Sequence, residues 1–108
     1  MDKSKKIIIA GAGIGGLTAA ACLLQEGYHV RVYEQSSELG EIGAGIQSSA
    51  NAVKVLHHLG LAEPLAAVSV KPKAFEFRLF DSGEVMHKVP LAEKHEEQHG
   101  APYYHIHR

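Results

Sequence analysis

The sequence predicts an α/β protein that begins with a parallel βαβ unit and continues into the start of an antiparallel sheet. An apolar run at residues 7–10 meets a glycine-rich turn and an alanine-rich helical pattern, and a second apolar run follows at 29–34. After Pro72 the spacing of apolar residues changes from helical to alternating. A helix between two strands favours a parallel pair, whereas alternation favours antiparallel strands with one exposed face.

The turn after the first run has the spacing Gly-x-Gly-x-x-Gly, at Gly11, Gly13 and Gly16. We expect Gly11 to allow a sharp turn, Gly13 to let a pyrophosphate approach the backbone, and Gly16 to let the helix pack on the strand. The N–H groups at the helix start, including Ile14 and Gly15, lack partners within the helix, and the helix dipole favours negative charge there. The loop therefore predicts a Rossmann-like dinucleotide site.

An acidic residue, Glu34, stands at the end of the second predicted strand. It follows the glycines by about twenty residues, where a dinucleotide site needs an acceptor for ribose hydroxyls. The simpler alternative is an ordinary strand–turn–helix with a surface carboxylate. Because strand, glycines, helix, strand and acid occur in the expected order, we favour the dinucleotide site.

Within the βαβ unit, we expect the strand at residues 7–10 to be buried on both faces, like a central parallel strand. The helix should span residues 14–26 and end at Gly27 in a left-handed conformation. Its sheet-facing residues recur at helical spacing. They are Leu17, Ala20, Ala21 and Leu24.

Residues 35–47 contain glycines at positions 40, 43 and 45, which argue against a regular element. They either permit close approach of a ligand or form a mobile loop. A helix over roughly residues 49–59 follows, capped by Ser48 or Ser49 and ended by Gly60. Its apolar stripe consists of Ala52, Val55, Leu56 and Leu59, and a shorter helix at 61–68 comes next.

Beyond Pro72, apolar residues alternate over 75–80 and again over 85–89, with the turn signal Asp81-Ser82-Gly83 between them, which predicts a hairpin. Residues 91–99 are charged and either helical or loop, and 103–108 are typical of one more strand. We therefore assign residues 1–70 to the N-terminal part of a nucleotide-binding domain. Residues 71–108 would begin the strands of a second domain and return toward the nucleotide site.

Composition excludes several classes of protein. The 108 residues carry a formal net charge of −1, so nothing suggests nucleic acid or a membrane surface as a partner. No apolar run reaches the length of a membrane span, and the polar N-terminus lacks the apolar region of a signal peptide. Cys22 is the single cysteine, which fits a reducing cytoplasm. Because a βαβ start with open strand edges is a poor independent fold, we expect a fragment of a longer protein.

Eight histidines raise the question of a metal site. His105 and His107 share one strand face, but no cysteine or acidic residue stands near them at metal-ligand spacing, so we expect no metal. No residue can be named as a catalytic acid or base. Arg108 follows a strand, where an arginine suits a phosphate or carboxylate, although from the residues alone a surface arginine is the simpler interpretation.

Three segments resemble the N-terminal part of the FAD-dependent aromatic-ring hydroxylases, the single-component flavoprotein monooxygenases. The first is the glycine fingerprint from Ile7 to Glu34, which many dinucleotide enzymes share. The second runs from Leu39 through Gly-Ala-Gly-Ile-Gln at 43–47 to Leu61, and the third is residues 100–108. The last two are specific to the group of salicylate hydroxylase, 3-hydroxybenzoate 6-hydroxylase and 6-hydroxynicotinate monooxygenase. Together the three segments span the whole chain.

The resemblance implies a flavin-dependent monooxygenase that hydroxylates an aromatic, phenolic or hydroxybenzoate-like substrate with oxygen, with FAD as cofactor and NADH or NADPH as electron donor. It implies that the glycine loop holds the pyrophosphate, that Glu34 with Gln35 holds the adenosine ribose, and that Arg108 lies near FAD. The strip along the flavin would be Ala44, Gly45, Ile46 and Gln47. A homodimer is one assembly that we expect.

The chain departs from this family at several points. Ala50 stands where relatives usually have proline, and Gln47 where some have a catalytic histidine, so that base is not available. The later family motifs and the substrate pocket are absent, so we expect the 108-residue chain alone to be inactive. Two alternatives stay open: another Rossmann oxidoreductase that uses NAD, and a truncated dinucleotide-binding module without turnover.

Overall fold

The chain divides into two compact units, Met1–Glu41 and Ile42–Arg108. The structure, a computed structural model, describes residues 1–40 and 43–107. The first unit contains β1 (Lys6–Ala10), α1 (Ile14–Gln25) and β2 (His29–Tyr33). The second contains β3 (Gly45–Ser48), α2 (Ala50–His58), α3 (Ala62–Ala67), β4 (Ser69–Val70), β5 (Ala74–Arg78), β6 (Val85–Pro90), α4 (Ala92–His99) and β7 (Tyr104–His107). The proposed domain boundary between residues 70 and 71 stays a prediction.

The first unit is the predicted βαβ arrangement. β1 and β2 pair in parallel, with Lys6 opposite His29. α1 ends where predicted, because Gly27 has a φ of +83° and its N–H donates to the Leu24 carbonyl at 3.0 Å. Glycine adopts this left-handed conformation without the steric cost that other residues carry, so the helix stops here.

The strand β1 is less buried than expected. Its residues alternate between half-buried and exposed, and Ile8 is 64% exposed. The expectation of a strand buried on both faces is therefore wrong for this chain. In the described residues, β1 pairs with β2 alone and α1 packs on this pair, so the strand lacks the second helical layer that covers a central parallel strand.

The face of α1 that packs on the strands also differs from the predicted one. Leu17 and Leu24 are exposed, whereas Ala20 is buried. A Cβ at Gly16 would lie 3.4 Å from the Ile9 side chain, so Gly16 and Ala20, one helical turn apart, form the packed face. The alanine-rich sequence offers apolar residues on more than one face, and spacing alone could not select between them.

β7 is the central strand of an antiparallel sheet with the order β3-β7-β4 among the described residues. Gln47 of β3 lies opposite His105 of β7. β3 corrects the expectation that residues 35–47 hold no regular element, and β4 was not predicted. Gly45 suits this position because a Cβ there would lie only 3.1 Å from the Ile106 carbonyl oxygen, so glycine permits close pairing of the strands.

The core of the second unit forms around α2. Val53 is fully buried, and Ala50, Ala101 and Tyr104 pack with it, while Leu65 of α3 and Ile106 of β7 are partly buried against the cluster. α2 and α3 are each shorter than predicted by one residue at each end. The predicted helix end at Gly60 is confirmed, since Gly60 follows the helix with a φ of +82°.

Two details of the predicted α2 are wrong. Ala52 and Val55, assigned to the apolar stripe, are exposed, because the buried face is centred on Val53 instead. Ser49 occupies the N-cap position, but its side chain makes no capping hydrogen bond. The N-terminal N–H groups of α2 are therefore left without this partner.

β5 and β6 form the predicted antiparallel hairpin. Phe75 lies opposite Val89, Phe77 opposite His87 and Glu76 opposite Lys88. One face of the hairpin is therefore mainly apolar and the other charged. Residues 91–99 were expected to be either helix or loop, and most of them form the helix α4. This helix ends at Gly100, which has a φ of +76°.

None of the helices that the structure describes combines the length and apolar character that crossing a membrane requires.

Candidate functional site

The glycine loop connects β1 to α1 in the first unit. Gly11 has a φ of +103°, and its N–H donates to the Tyr33 carbonyl at 2.6 Å. The predicted sharp turn is therefore present, and it ties the loop to the end of β2. A residue with a Cβ would be strained at this φ, which explains glycine at position 11.

Gly13 and Gly16 differ in what a side chain would meet. A Cβ at Gly16 would lie 2.0 Å from the Gly11 carbonyl oxygen, whereas a Cβ at Gly13 or Gly15 would meet nothing within 4 Å. Gly16 is therefore required for packing within the unit. Since no such contact explains Gly13, the open space beside its backbone is available to a ligand.

The N-terminus of α1 suits an anionic group. Gly13 is the N-cap residue, no side chain caps the helix, and its first turn has no acidic residue. The N–H groups of Ile14 and Gly15 precede the first helical hydrogen bond, which the Leu17 N–H donates to the Gly13 carbonyl at 2.9 Å. Unpaired donors and the positive end of the helix dipole together favour a phosphate at this position.

Glu34 lies beside the glycine loop, as its spacing in the sequence predicted. Its Oε2 accepts the Ala12 N–H at 2.7 Å, and its Oε1 accepts the Ser36 N–H at 3.0 Å. These hydrogen bonds, first that from Ser36 and then that from Ala12, lower the pKa of Glu34. The carboxylate is thus ionised at neutral pH and acts as an acceptor. Gln35, the next residue, is exposed.

A groove of about 420 Å³ lies along the sheet of the second unit. It is lined by Ala44, Gly45, Ile46, Gln47, Val70, His105, Ile106 and His107. The structure therefore brings together the strip that the resemblance assigns to the flavin, and it adds β7 residues from the third resembling segment. Within the described ranges, no three or more histidine, cysteine, aspartate or glutamate side chains are grouped so that they could hold a metal ion.

Tyr103 also belongs to this region, although the sequence alone did not identify it as a site residue. Its hydroxyl donates to Gln47 Oε1 at 3.0 Å, and the residue is only 8% exposed. Burial raises the pKa of Tyr103, so the phenol keeps its proton at neutral pH. No local signal joins positions 47 and 103, because the unpredicted pairing of β3 with β7 brings them together.

Arg108, the last of the predicted cofactor contacts, lies outside the described residues, and its role stays a prediction.

The parallel βαβ unit, the open glycine loop and the adjacent carboxylate define a Rossmann-like dinucleotide site in the first unit. Comparison with known proteins agrees with this class. A family model described as an NAD(P)-binding Rossmann-like domain matches residues 9–44.

Longer similarities extend over the whole chain. It is 46% identical over 108 residues to 3-amino-4-hydroxybenzoate 2-monooxygenase of Streptomyces cremeus, of which it covers 27%. It is 38% identical over 108 residues to 6-hydroxynicotinate 3-monooxygenase of Pseudomonas fluorescens, of which it covers 28%. The crystal structure of Klebsiella pneumoniae HpxO complexed with FAD and uric acid matches with a TM-score of 0.75 and 35% identity, over 100% of this chain and 27% of that one.

The chain is homologous to the N-terminal, FAD-binding part of the FAD-dependent aromatic hydroxylases. The resemblance inferred from the three sequence segments is thereby confirmed, as is the α/β fold class with a Rossmann-like front and antiparallel strands. The chain spans little more than a quarter of the length of the curated relatives that it matches.

Proposed function

We propose that the chain binds FAD and forms the cofactor-binding front of a flavin-dependent monooxygenase that hydroxylates a small aromatic substrate with NAD(P)H and oxygen. The observation that supports this most is the open glycine loop with Glu34 beside it. The similarity to two aromatic monooxygenases and to an FAD-bound structure points the same way. When bound, FAD supplies the redox chemistry between the nicotinamide and oxygen.

In this proposal the first unit holds the adenosine half of FAD. Gly13 leaves room for the pyrophosphate, and the N–H groups of Ile14 and Gly15 donate to it. Glu34 accepts the ribose hydroxyls, with Gln35 beside it. A carboxylate has about four lone-pair positions, of which the Ala12 and Ser36 N–H groups use two, so the capacity to accept further donors remains.

The second unit would contact the flavin through residues 44–47. Gly45 and Ala44 have little or no side chain, which allows a flat ring to approach the backbone. Ile46 and Gln47 line the same groove. Arg108 is proposed to lie near the cofactor. We assign no catalytic acid or base to residues 1–108.

The substrate class is also a proposal. The names of the two curated relatives specify hydroxylated benzoate and nicotinate rings, and HpxO was crystallised with uric acid. We therefore propose a small oxygen-substituted aromatic ring for the whole protein, with no turnover by the 108-residue chain alone. A cytoplasmic location, which the single cysteine fits, and a homodimer belong to the same proposal.

One observation favours a second candidate. The family model that matches residues 9–44 is described as NAD(P)-binding, so in this candidate the first unit binds NAD as its only dinucleotide. This candidate leaves the similarity of residues 45–107 to FAD-dependent hydroxylases unexplained.

Flavin titration of the purified chain tests the proposal, with NAD⁺ titrated in parallel. We expect FAD to bind more tightly than NAD⁺, and Gly13→Val to weaken FAD binding by at least about tenfold, because a branched side chain would fill the pyrophosphate's space. Gly13 has a φ of −72°, which valine also adopts, so the fold should persist. Ala19→Val, on the exposed side of α1, is the matched control and should bind as the unmodified chain does.

Equal FAD affinity in Gly13→Val and Ala19→Val would contradict the placement of the pyrophosphate. Preference for NAD⁺ over FAD would support the second candidate. Oxidation of NADH by the chain in the presence of an aromatic acid would contradict the proposal that it is inactive alone.

A further inference from the structure

The hydrogen bond between Tyr103 and Gln47 connects two segments of the second unit that lie far apart in sequence. The Tyr103 hydroxyl and Gln47 Oε1 are 3.0 Å apart and partly buried. Gln47 sits on β3, where it pairs with His105, and Tyr103 immediately precedes β7. The bond thus fixes the Gln47 side chain, which would otherwise be free to rotate on the exposed part of the strand.

The ring of Tyr103 is held in place by aromatic neighbours. Phe75 packs edge-on against it with ring centroids 5.2 Å apart, and His95 packs edge-on at 5.5 Å. His105 lies 5.8 Å away at a tilt of 57°. Edge-to-face pairs at these distances stabilise a ring beyond its area of burial. The hydroxyl therefore points at Gln47 from a fixed position.

The direction of this hydrogen bond follows from the chemistry of the two groups. A protonated phenol that accepted from the Gln47 amide would still need an acceptor for its own proton, and an unpaired buried donor is costly. In the part of the chain that the structure describes, Gln47 Oε1 is the acceptor for the Tyr103 proton. The carbonyl end of Gln47 therefore faces Tyr103.

We infer that Tyr103 is a positioning residue: by holding the carbonyl of Gln47 toward its own hydroxyl, it turns the amide N–H donors of Gln47 toward the groove. The groove then selects a bound ring that carries a hydrogen-bond acceptor. Gln47 lines this groove with residues 44–46, so the inference rests on the proposed function of that strip. The acceptor would belong either to the flavin, as a ring carbonyl or nitrogen, or to the aromatic substrate, as a carboxylate or phenolic oxygen.

Tyr103→Phe tests this inference, because it removes the hydroxyl and keeps the ring packing. Tyr104→Phe is the matched control. Tyr104 is the adjacent buried tyrosine, at 5% exposure, and within the described residues its hydroxyl makes no hydrogen bond. The first readout is the side-chain amide signal of Gln47 in ¹⁵N NMR spectra of the free chain, identified by its loss in Gln47→Leu. We expect this amide to be ordered in the unmodified chain and in Tyr104→Phe, and mobile in Tyr103→Phe.

The second readout is the response of the same signal, and of affinity, to FAD and to 4-hydroxybenzoate in separate titrations. A shift with FAD assigns the acceptor to the flavin, and a shift with 4-hydroxybenzoate alone assigns it to the substrate. We expect Tyr103→Phe to weaken binding of the ligand that shifts the signal by about two- to tenfold, the range for one hydrogen bond. Tyr104→Phe should leave that affinity unchanged.

Two results would overturn the inference. One is an equally ordered Gln47 amide in Tyr103→Phe and in the unmodified chain. The other is a Gln47 signal that responds to neither ligand although FAD binds. If the unmodified chain binds no FAD, the proposed function fails for this chain, whereas the order of the Gln47 amide still decides whether Tyr103 positions it.

Should Tyr103→Phe fail to fold, Gln47→Glu replaces it, since that variant keeps an acceptor for Tyr103, loses the amide donors and should show the same weakened binding.

Discussion

At the residue scale, Glu34 links the glycine loop to the chain that follows β2. Both carboxylate oxygens accept backbone N–H groups, and these hydrogen bonds lower its pKa. Because the folded pKa lies below the unfolded pKa, the carboxylate contributes stability above the unfolded value. That contribution is lost as the pH falls through the folded pKa. The hydrogen bonds from Glu34 therefore stabilise the loop more at neutral pH than in acid.

Glu34→Gln should lower the thermal unfolding temperature at neutral pH, because the neutral amide replaces one charged acceptor oxygen by a donor. The difference from the unmodified chain should shrink as the pH falls below the ordinary range of glutamate. Thermal unfolding followed by circular dichroism across this pH range measures both effects. Glu97→Gln, an exposed carboxylate of α4, is the control. A difference that stays constant with pH would show that ionisation of Glu34 has no part in holding the loop.

At the scale of elements, α1 is seated by the contact between Gly16 and the Gly11 carbonyl. A Cβ at Gly16 would lie 2.0 Å from that oxygen, well inside van der Waals contact. Gly15, its neighbour, would meet nothing within 4 Å. Two adjacent glycines of one motif thus have opposite tolerance for a methyl group.

Gly16→Ala should destabilise the first unit by about 1–3 kcal/mol, the usual cost of overpacking. Gly15→Ala should be neutral or slightly stabilising, since alanine favours helix by up to about 1 kcal/mol over glycine. Urea unfolding of both variants measures the difference in free energy. Equal stability of the two would mean that α1 is not seated by this contact.

At the scale of the whole molecule, large apolar side chains remain on the surface. Phe77 is 58% exposed and Met86 is 66% exposed. Phe77 shares its face of the β5–β6 hairpin with Phe75 and Val89, whereas Glu76 and Lys88 lie opposite each other on the other face. Exposed contiguous apolar surface promotes association, so the two faces should behave differently.

We expect the isolated chain to associate as its concentration rises, through the apolar face of the hairpin. Sedimentation velocity over a range of concentrations should show this, and Phe77→Ser should weaken it. Lys88→Ser, on the opposite, charged face, should leave it nearly unchanged. A chain that sediments as a monomer at every concentration would contradict the expectation and would also remove support for a homodimer of the chain alone.

Local sequence patterns predict much of this fold. The βαβ unit, α2 and the hairpin follow from apolar spacing and from glycines that end helices, and the position of Glu34 beside the loop follows from the length of one strand–helix–strand passage. The pairing of β3 with β7 depends on residues about sixty positions apart, for which the sequence has no local signal. Tyr103 was missed for the same reason. The packed face of α1 was not predicted because apolar residues occupy more than one face of that helix.

The position of β7 between β3 and β4 has a consequence for synthesis. The first unit needs only the residues up to Tyr33 to pair β1 with β2, so its glycine loop can assemble while the ribosome is still translating the chain. β3 and β4 must wait for their shared partner, because neither pairs until residues 104–107 have emerged. The glycine loop of the first unit is therefore complete before the groove of the second unit exists.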